Sequence, residues 1–292
     1  MQPTDKSKES AMAISTIDDV ATYLIQKSEI GITHRELQKI LYYAQGFYLA
    51  EHGEPLFDGE FDAWKFGPVN TSIWGRFKSF GYNNLHVSSD ADVSSLDSVK
   101  KVFLSAILGS FLVLGQSKLI EMSHTDYTWE SNYIEGMNKR IPQEEIKDFF
   151  SSFESYEAYL EAAEAKLAFS ELISARIQYL KELPSLGEGW ISGGAFPPSD
   201  EICKACIKYL GYFQKNLFSR HAIPNLPKVV MGPIPSGGVG IEFHTANKNV
   251  YVSFYNDRQV DVSIEQNDNF IEHEVSLEQF GEEIGLFLEG VV

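Results

Sequence analysis

The chain has 292 residues, enough for two domains that each bury a core, and its 43% hydrophobic, 22% charged composition excludes a disordered or low-complexity polymer. Its 24 Lys and Arg against 41 Asp and Glu leave a net charge of −17, a field that repels phosphate backbones and argues against nucleic acid as the main ligand. Two cysteines cannot staple a fold of this size, and no charged segment followed by an apolar run and a cleavage site opens the chain; both features fit a reducing cytoplasm.

Met1–Ser10 are polar and lack an apolar period, and residues 1–15 are expected to form a flexible terminus. A helix is expected from Ser15 and Thr16, with Asp18 and Asp19 in its first turn, to about Gly31. Thr33-x-x-Glu36 reads as a capping box, with Ile32 stapled against Leu37. Leu37, Ile40, Leu41, Ala44 and Tyr48 then follow one face of a 3.6-residue period until Gly53 closes the helix. Pro55 and the turn after it lead into Phe61–Phe66, a short strand before Gly67-Pro68. A helix over Thr71–Phe80 and a Ser/Asp/Asn-rich loop over Tyr82–Asp97 are expected next. The helix from Val99 to about Ser117 contains the longest apolar stretch, Val102–Leu114. Interrupted by Ser105 and Ser110, that stretch falls short of the ~20 residues of a membrane-crossing helix and reads as a buried core element. Helix resumes from Pro142 to about Leu183, interruptible at Ser151 and Ser152.

At Pro184 the texture changes to a Gly- and Pro-rich connector, residues 184–198, that ends before the N-cap signal Ser199-Asp200-Glu201. After a helix to about Leu217, four segments look like short strands separated by turns: Pro227–Met231, Gly240–His244, Asn249–Tyr255 and Gln259–Glu265. Ser276-x-x-Gln279, flanked by Val275 and Phe280, starts a last helix through Leu288. The expected architecture is multidomain α+β: an all-α helical domain at 16–183, the connector, and a small α+β domain with an antiparallel sheet at 199–292.

Signals for catalysis or cofactors are weak. Cys203-x-x-Cys206 has only His221 near it in sequence, short of the four ligands of a structural zinc, so buried inert thiols are expected and no metal. The glycines of 232–240 lack the Gly-Lys-Ser/Thr ending of a phosphate loop and read as a hairpin turn. No Gly-x-Ser-x-Gly or His-Glu-x-x-His occurs, so no catalytic set and no cofactor are assigned. Glu272, Glu274, Glu278, Glu282 and Glu283 either imitate an RNA surface toward a basic partner or simply keep a face solvated. Tyr42, Tyr43, Phe47, Tyr48, Trp64 and Phe66 concentrate aromatic area that serves either the core or an interface. In Lys65-Phe66-Gly67-Pro68 the Gly-Pro step makes a turn that can present an aromatic outward.

Three linked motifs carry a family resemblance: Glu36-Leu-Gln-Lys-Ile-Leu-Tyr-Tyr-Ala-Gln-Gly-Phe-Tyr-Leu-Ala50, Pro55-Leu-Phe-Asp58 and Ala63-Trp-Lys-Phe-Gly-Pro-Val69. Together with Leu119, Ser123-His124-Thr125 and Trp129, they resemble the Panacea domain, also called the SocA-like or GepA-like antitoxin domain, over about residues 16–150. Ser123 stands where that family tends to carry Thr, and Thr128 where a proline is usual. The resemblance implies a non-enzymatic antitoxin, from a toxin gene pair in bacterial or prophage DNA, that neutralises a cognate toxin by direct binding. The toxin expected is basic or directed at translation. One branch of the family instead delivers its toxin to a AAA+ protease, and a phage protein is a further possible partner as trigger. Tyr43, Phe47, Trp64, Lys65, Phe66, Gly67, Pro68, His124 and Trp129 are the expected partner-binding residues. An enzyme that reverses a toxin's modification would need a polar catalytic set that the sequence does not offer, and a DNA-binding repressor would need a basic recognition helix.

Overall fold

The computed structural model describes residues 14–192, 194–218, 226–267 and 269–288. They divide into two compact units, one ending at Tyr159 and the other starting at Leu160. In the first, β1 (Ser15–Thr16) leads into α1 (Ile17–Lys27) and α2 (His34–His52), and β2 (Phe57–Asp58) pairs in parallel with β1. β3 (Phe61–Trp64) and β4 (Gly67–Val69) form a hairpin, followed by α3 (Thr71–Phe77) and a 3-10 turn at Lys78–Phe80. α4 (Ser98–Leu112), α5 (Gly115–His124) and α6 (Tyr127–Glu130) precede β5 (Lys139–Ile141), which joins the other edge of β3. α7 (Gln143–Ser151) and the start of α8 (Tyr156–Glu182) complete the unit.

α2 is the axis of this unit. Its N-terminus carries the expected capping box, Thr33 with Glu36, and Gly53 ends it in the left-handed conformation. Residues 37–49 are buried on every side, the condition of a helix enclosed by its own domain. Tyr43 stacks on Phe111 of α4 at 4.6 Å, and Phe47 meets Phe150 of α7 edge-on at 4.7 Å. A Cβ at Gly46 would enter the Phe150 ring, so only glycine lets α2 and α7 approach this closely.

The expected helix to Ser117 is two helices. It breaks after Leu112 and restarts at Gly115, whose φ of +75° is a conformation glycine adopts without strain, and the two axes are bent by 99°. No single helix among the described residues is long and apolar enough to cross a membrane; α4 and α5 meet that criterion only as this bent pair. Leu104, Ile107 and Phe111 of the apolar stretch are fully buried, as its reading as a core element requires. The Ser151–Ser152 interruption falls between α7 and α8.

In the second unit α9 (Asp200–Phe218) precedes β6 (Lys228–Pro233), β7 (Gly238–His244), β8 (Lys248–Tyr255), β9 (Gln259–Gln266), β10 (Asn269–Ser276) and α10 (Leu277–Phe287). The five strands form one antiparallel meander in the order β10-β9-β8-β7-β6. Val250, Val252 and Phe254 of β8 alternate into a core shared with Leu210 and Phe213 of α9 and with Phe280 and Ile284 of α10. Phe169, Ile173 and Leu180 of α8 belong to that core too, which is why the contact boundary lies inside α8 rather than at Pro184. β10 was not expected: its Glu272, His273 and Glu274 are exposed and hide the alternation, yet it pairs with β9 along its whole length. The Gly-rich segment makes the expected turn. A Cβ at Gly238 would collide with the Phe254 carbonyl, so the backbones of β7 and β8 leave no room for another residue. Cys203 and Cys206 are free and buried, and burial pushes their thiols up, Cys203 to about 11. His221 lies outside the described residues. The whole is the multidomain α+β architecture expected, with two small sheets added to the helical first unit.

Candidate functional site

β2 and the end of the β3–β4 hairpin are held by amide side chains of α2 that replace secondary-structure partners. Gln38 of α2 accepts from the Asn70 N–H at 2.8 Å and donates to the Asn70 carbonyl at 3.1 Å. Gln45, two turns later on the same face, accepts from the N–H groups of Leu56 and Phe57 at 3.1 and 3.3 Å and donates to the Phe57 carbonyl at 3.1 Å. Both are buried, where every unpaired backbone group is costly. Asn70 in turn caps α3, accepting from the Ile73 N–H at 3.1 Å.

Between these glutamines Lys39 is buried and donates to the Pro68 carbonyl at 2.9 Å. Burial, reinforced by the Arg35 charge, pulls its ammonium down to about 7. Gly67 has φ +90°, and a Cβ there would run into Ser123 Oγ and the end of the Lys39 side chain. Glycine is therefore required twice, by conformation and by space.

Beside the hairpin three rings are stacked. His124 lies on Trp129 with centroids 4.1 Å apart, and Trp129 on Tyr133 at 4.6 Å. The Trp129 indole N–H donates to the Trp64 carbonyl at 2.8 Å, tying the stack to the end of β3. His124 Nε2 is buried without a partner. Burial, then the Lys39 charge, takes this imidazole down to about 4 against an opposing backbone hydrogen bond at Lys65, so the ring is neutral at pH 7.

In front of the hairpin lies a cavity of about 720 Å³. α2 supplies His34, Arg35 and Lys39; the hairpin, Trp64, Lys65 and Phe66; α3 and the turn after it, Trp74, Lys78 and Tyr82; and the segment 133–138 closes the remaining side. The Arg35 guanidinium lies 5.1 Å from the Phe66 ring centre and 4.6 Å from that of Tyr82, and Lys78 sits 4.6 Å from Trp74. Trp64 and Trp74 are 5.3 Å apart. Among the described residues Arg35, Lys39, Lys65 and Lys78 make no ion pair. Glu135 is the one carboxylate in the lining.

The residues expected to bind a partner thus fall into three places. Trp64, Lys65 and Phe66 line the cavity, with Phe66 49% exposed. Gly67 and Pro68 are buried on Lys39, and His124 and Trp129 are the half-buried support behind the turn. Tyr43 and Phe47 are buried at 0% and 7% exposure, because α2 is enclosed on every side, and they offer no surface. Arg35, Gln38, Lys39, Trp74 and Lys78 were not singled out from sequence. The usable signal was Gln38, Lys39 and Gln45 inside the stretch 37–49, whose other residues are apolar, tyrosine or glycine. The departure at position 128 is accommodated, since Thr128 Oγ1 hydrogen-bonds the buried Tyr42 hydroxyl at 2.5 Å.

Residues 37–130, which include the hairpin and the ring stack up to Trp129, match the family described as Antitoxin SocA-like, Panacea domain. The chain belongs to this antitoxin family. It is 31% identical over 157 residues to Antitoxin SocA of Caulobacter vibrioides (strain NA1000 / CB15N), an alignment that covers 45% of this chain and 80% of the relative. No solved structure matches the chain.

Proposed function

We propose that this chain neutralises a protein toxin by binding it directly, without turnover, and that Lys65 and Phe66 at the hairpin tip make the central contact. The observation that carries this reading is the tip's support: an exposed aromatic and a cation stand on a turn whose flanks are locked by Lys39, Gln38 and the Trp129 indole. A preorganised anchor of this kind loses little conformational entropy on binding, and aromatic anchors dominate interface energetics. The net charge of −17 steers a toxin that is basic toward the chain in the cytoplasm, whether or not that toxin is directed at translation, while the tip itself meets an acidic or aromatic patch on it.

The test is co-expression of the full chain with the product of the adjacent gene, reading growth and the recovered complex. Direct neutralisation gives rescue with a stoichiometric complex, and both weaken in Phe66→Ala and Lys65→Ala. Rescue that disappears in cells lacking a AAA+ protease, with loss of toxin, would instead identify an adaptor. Rescue by substoichiometric chain with no complex would identify an enzyme.

A further inference from the structure

We propose that the cavity of the first unit binds a mononucleotide, its base against the ring faces of Trp64 and Trp74 and its phosphates met by Arg35, Lys65 and Lys78. The cavity, at about 720 Å³, lies within the ~300–1,000 Å³ of small-ligand sites. Its polar content is cationic: four basic side chains from α2, the hairpin and the end of α3 converge on it without an ion pair, in a chain of net charge −17. Arg35, Lys65 and Lys78, cations gathered without an ion pair on one concave surface against the sign of the whole molecule, are complementary to an anion. The cavity's apolar content is planar, and an aromatic face beside guanidinium and ammonium groups suits a base that carries phosphate.

A polynucleotide fits less well, because its phosphates outside the cavity would lie within a Debye length, about 8 Å, of the surface of a chain whose net charge is −17. A single nucleotide keeps its charge inside the lining. Glu135, on the exposed 133–138 segment, opposes the phosphates at one edge and so favours their placement toward Arg35 and Lys78.

Lys39 supplies an independent readout. The groups that face it are Arg35 and His34 on its own helix, Gly67 and the Pro68 carbonyl of β4, and Ser123 and His124 of α5; Glu135 lies across the cavity. None of the facing groups is an anion, so a bound phosphate brings the negative charge that this ammonium lacks. Its pull raises the Lys39 proton affinity, and binding above pH 7 then takes up a proton.

This inference shares Lys65 with the proposed toxin contact, but its experiment needs no toxin, so the two readings fail separately. The purified full chain is titrated calorimetrically with ATP, GTP, AMP, inorganic tripolyphosphate and an acidic aromatic peptide, at pH 8 in buffers of different ionisation heat. Expected are saturable binding of at least one nucleotide at a Kd on the order of 10 µM, proton uptake, and about tenfold weaker binding in Arg35→Gln and Lys78→Gln. Lys78 is exposed, so its variant decides should the Arg35 variant not fold. Any of three results overturns the proposal: no saturable binding up to about 1 mM, tripolyphosphate binding as tightly as the nucleotides, or an acidic aromatic peptide binding more tightly than any of them.

Discussion

The two units are built on opposite economies of polar groups. The sheet and helices of the second close over Val250, Val252, Phe254, Leu210, Phe213 and Phe280, and among its described residues only Lys166 and Lys248 are buried polar or charged side chains. The first buries His34, Gln38, Lys39, Gln45, Asn70 and Asp126, and spends most of them on backbone that has no sheet or helix partner of its own. A fold stabilised by apolar area alone needs no such groups. Their concentration around the β3–β4 hairpin marks where the chain holds an irregular segment in one shape, and that is where the exposed tip and the cavity lie.

Glycine substitutions break this contrast most sharply, with opposite signs. Gly67→Val combines a positive-φ penalty with overpacking against Ser123 and Lys39 and should cost about 3 kcal/mol or more. Gly211→Ala, in the open middle of α9, should stabilise by about 0.5–1 kcal/mol. Denaturant unfolding followed by unit-resolved hydrogen exchange distinguishes the two. Next comes Gln38→Ala, which strands a buried N–H and a buried carbonyl of Asn70 and should cost about 2–4 kcal/mol, against under about 1 kcal/mol for Gln214→Ala, whose partner is the Ser170 hydroxyl at 2.9 Å.

His124 gives the smaller, pH-dependent difference. With its folded value near 4 and an ordinary value of 6.5, the unfolded state binds more protons between those limits, so stability falls as pH drops from about 6.5 to about 4 and levels off below. The ring is partly exposed, so the loss should be about 1–2 kcal/mol after solvent screening. Melts across that range should show the slope in the native chain and a reduced one in His124→Phe. The smallest effect is chemical: burial keeps Cys203 and Cys206 as thiols, so a thiol reagent should modify neither until the second unit unfolds.

What could be read from the residues alone follows the same division. Period and capping signals located α1, α2, α9 and α10 and four strands of the meander, because apolar periodicity records which face is buried. β10 escaped because an edge strand with exposed charges has no buried face to record. The α4–α5 break escaped because Gly115 sits in a run apolar enough to continue the helix. At the site, Lys65-Phe66-Gly67-Pro68 was legible as a turn from its Gly-Pro step. The cavity was not, since Arg35, Trp74, Lys78 and Tyr133 are scattered over about a hundred residues and only tertiary packing brings them together.

Hydrogen exchange on the full chain, with and without its cognate toxin, tests the central claim most directly. The account predicts new protection over 61–69 and 127–138, the hairpin and its supporting stack, with little change in the meander. Protection confined to 200–288 would contradict it and move the binding face to the second unit.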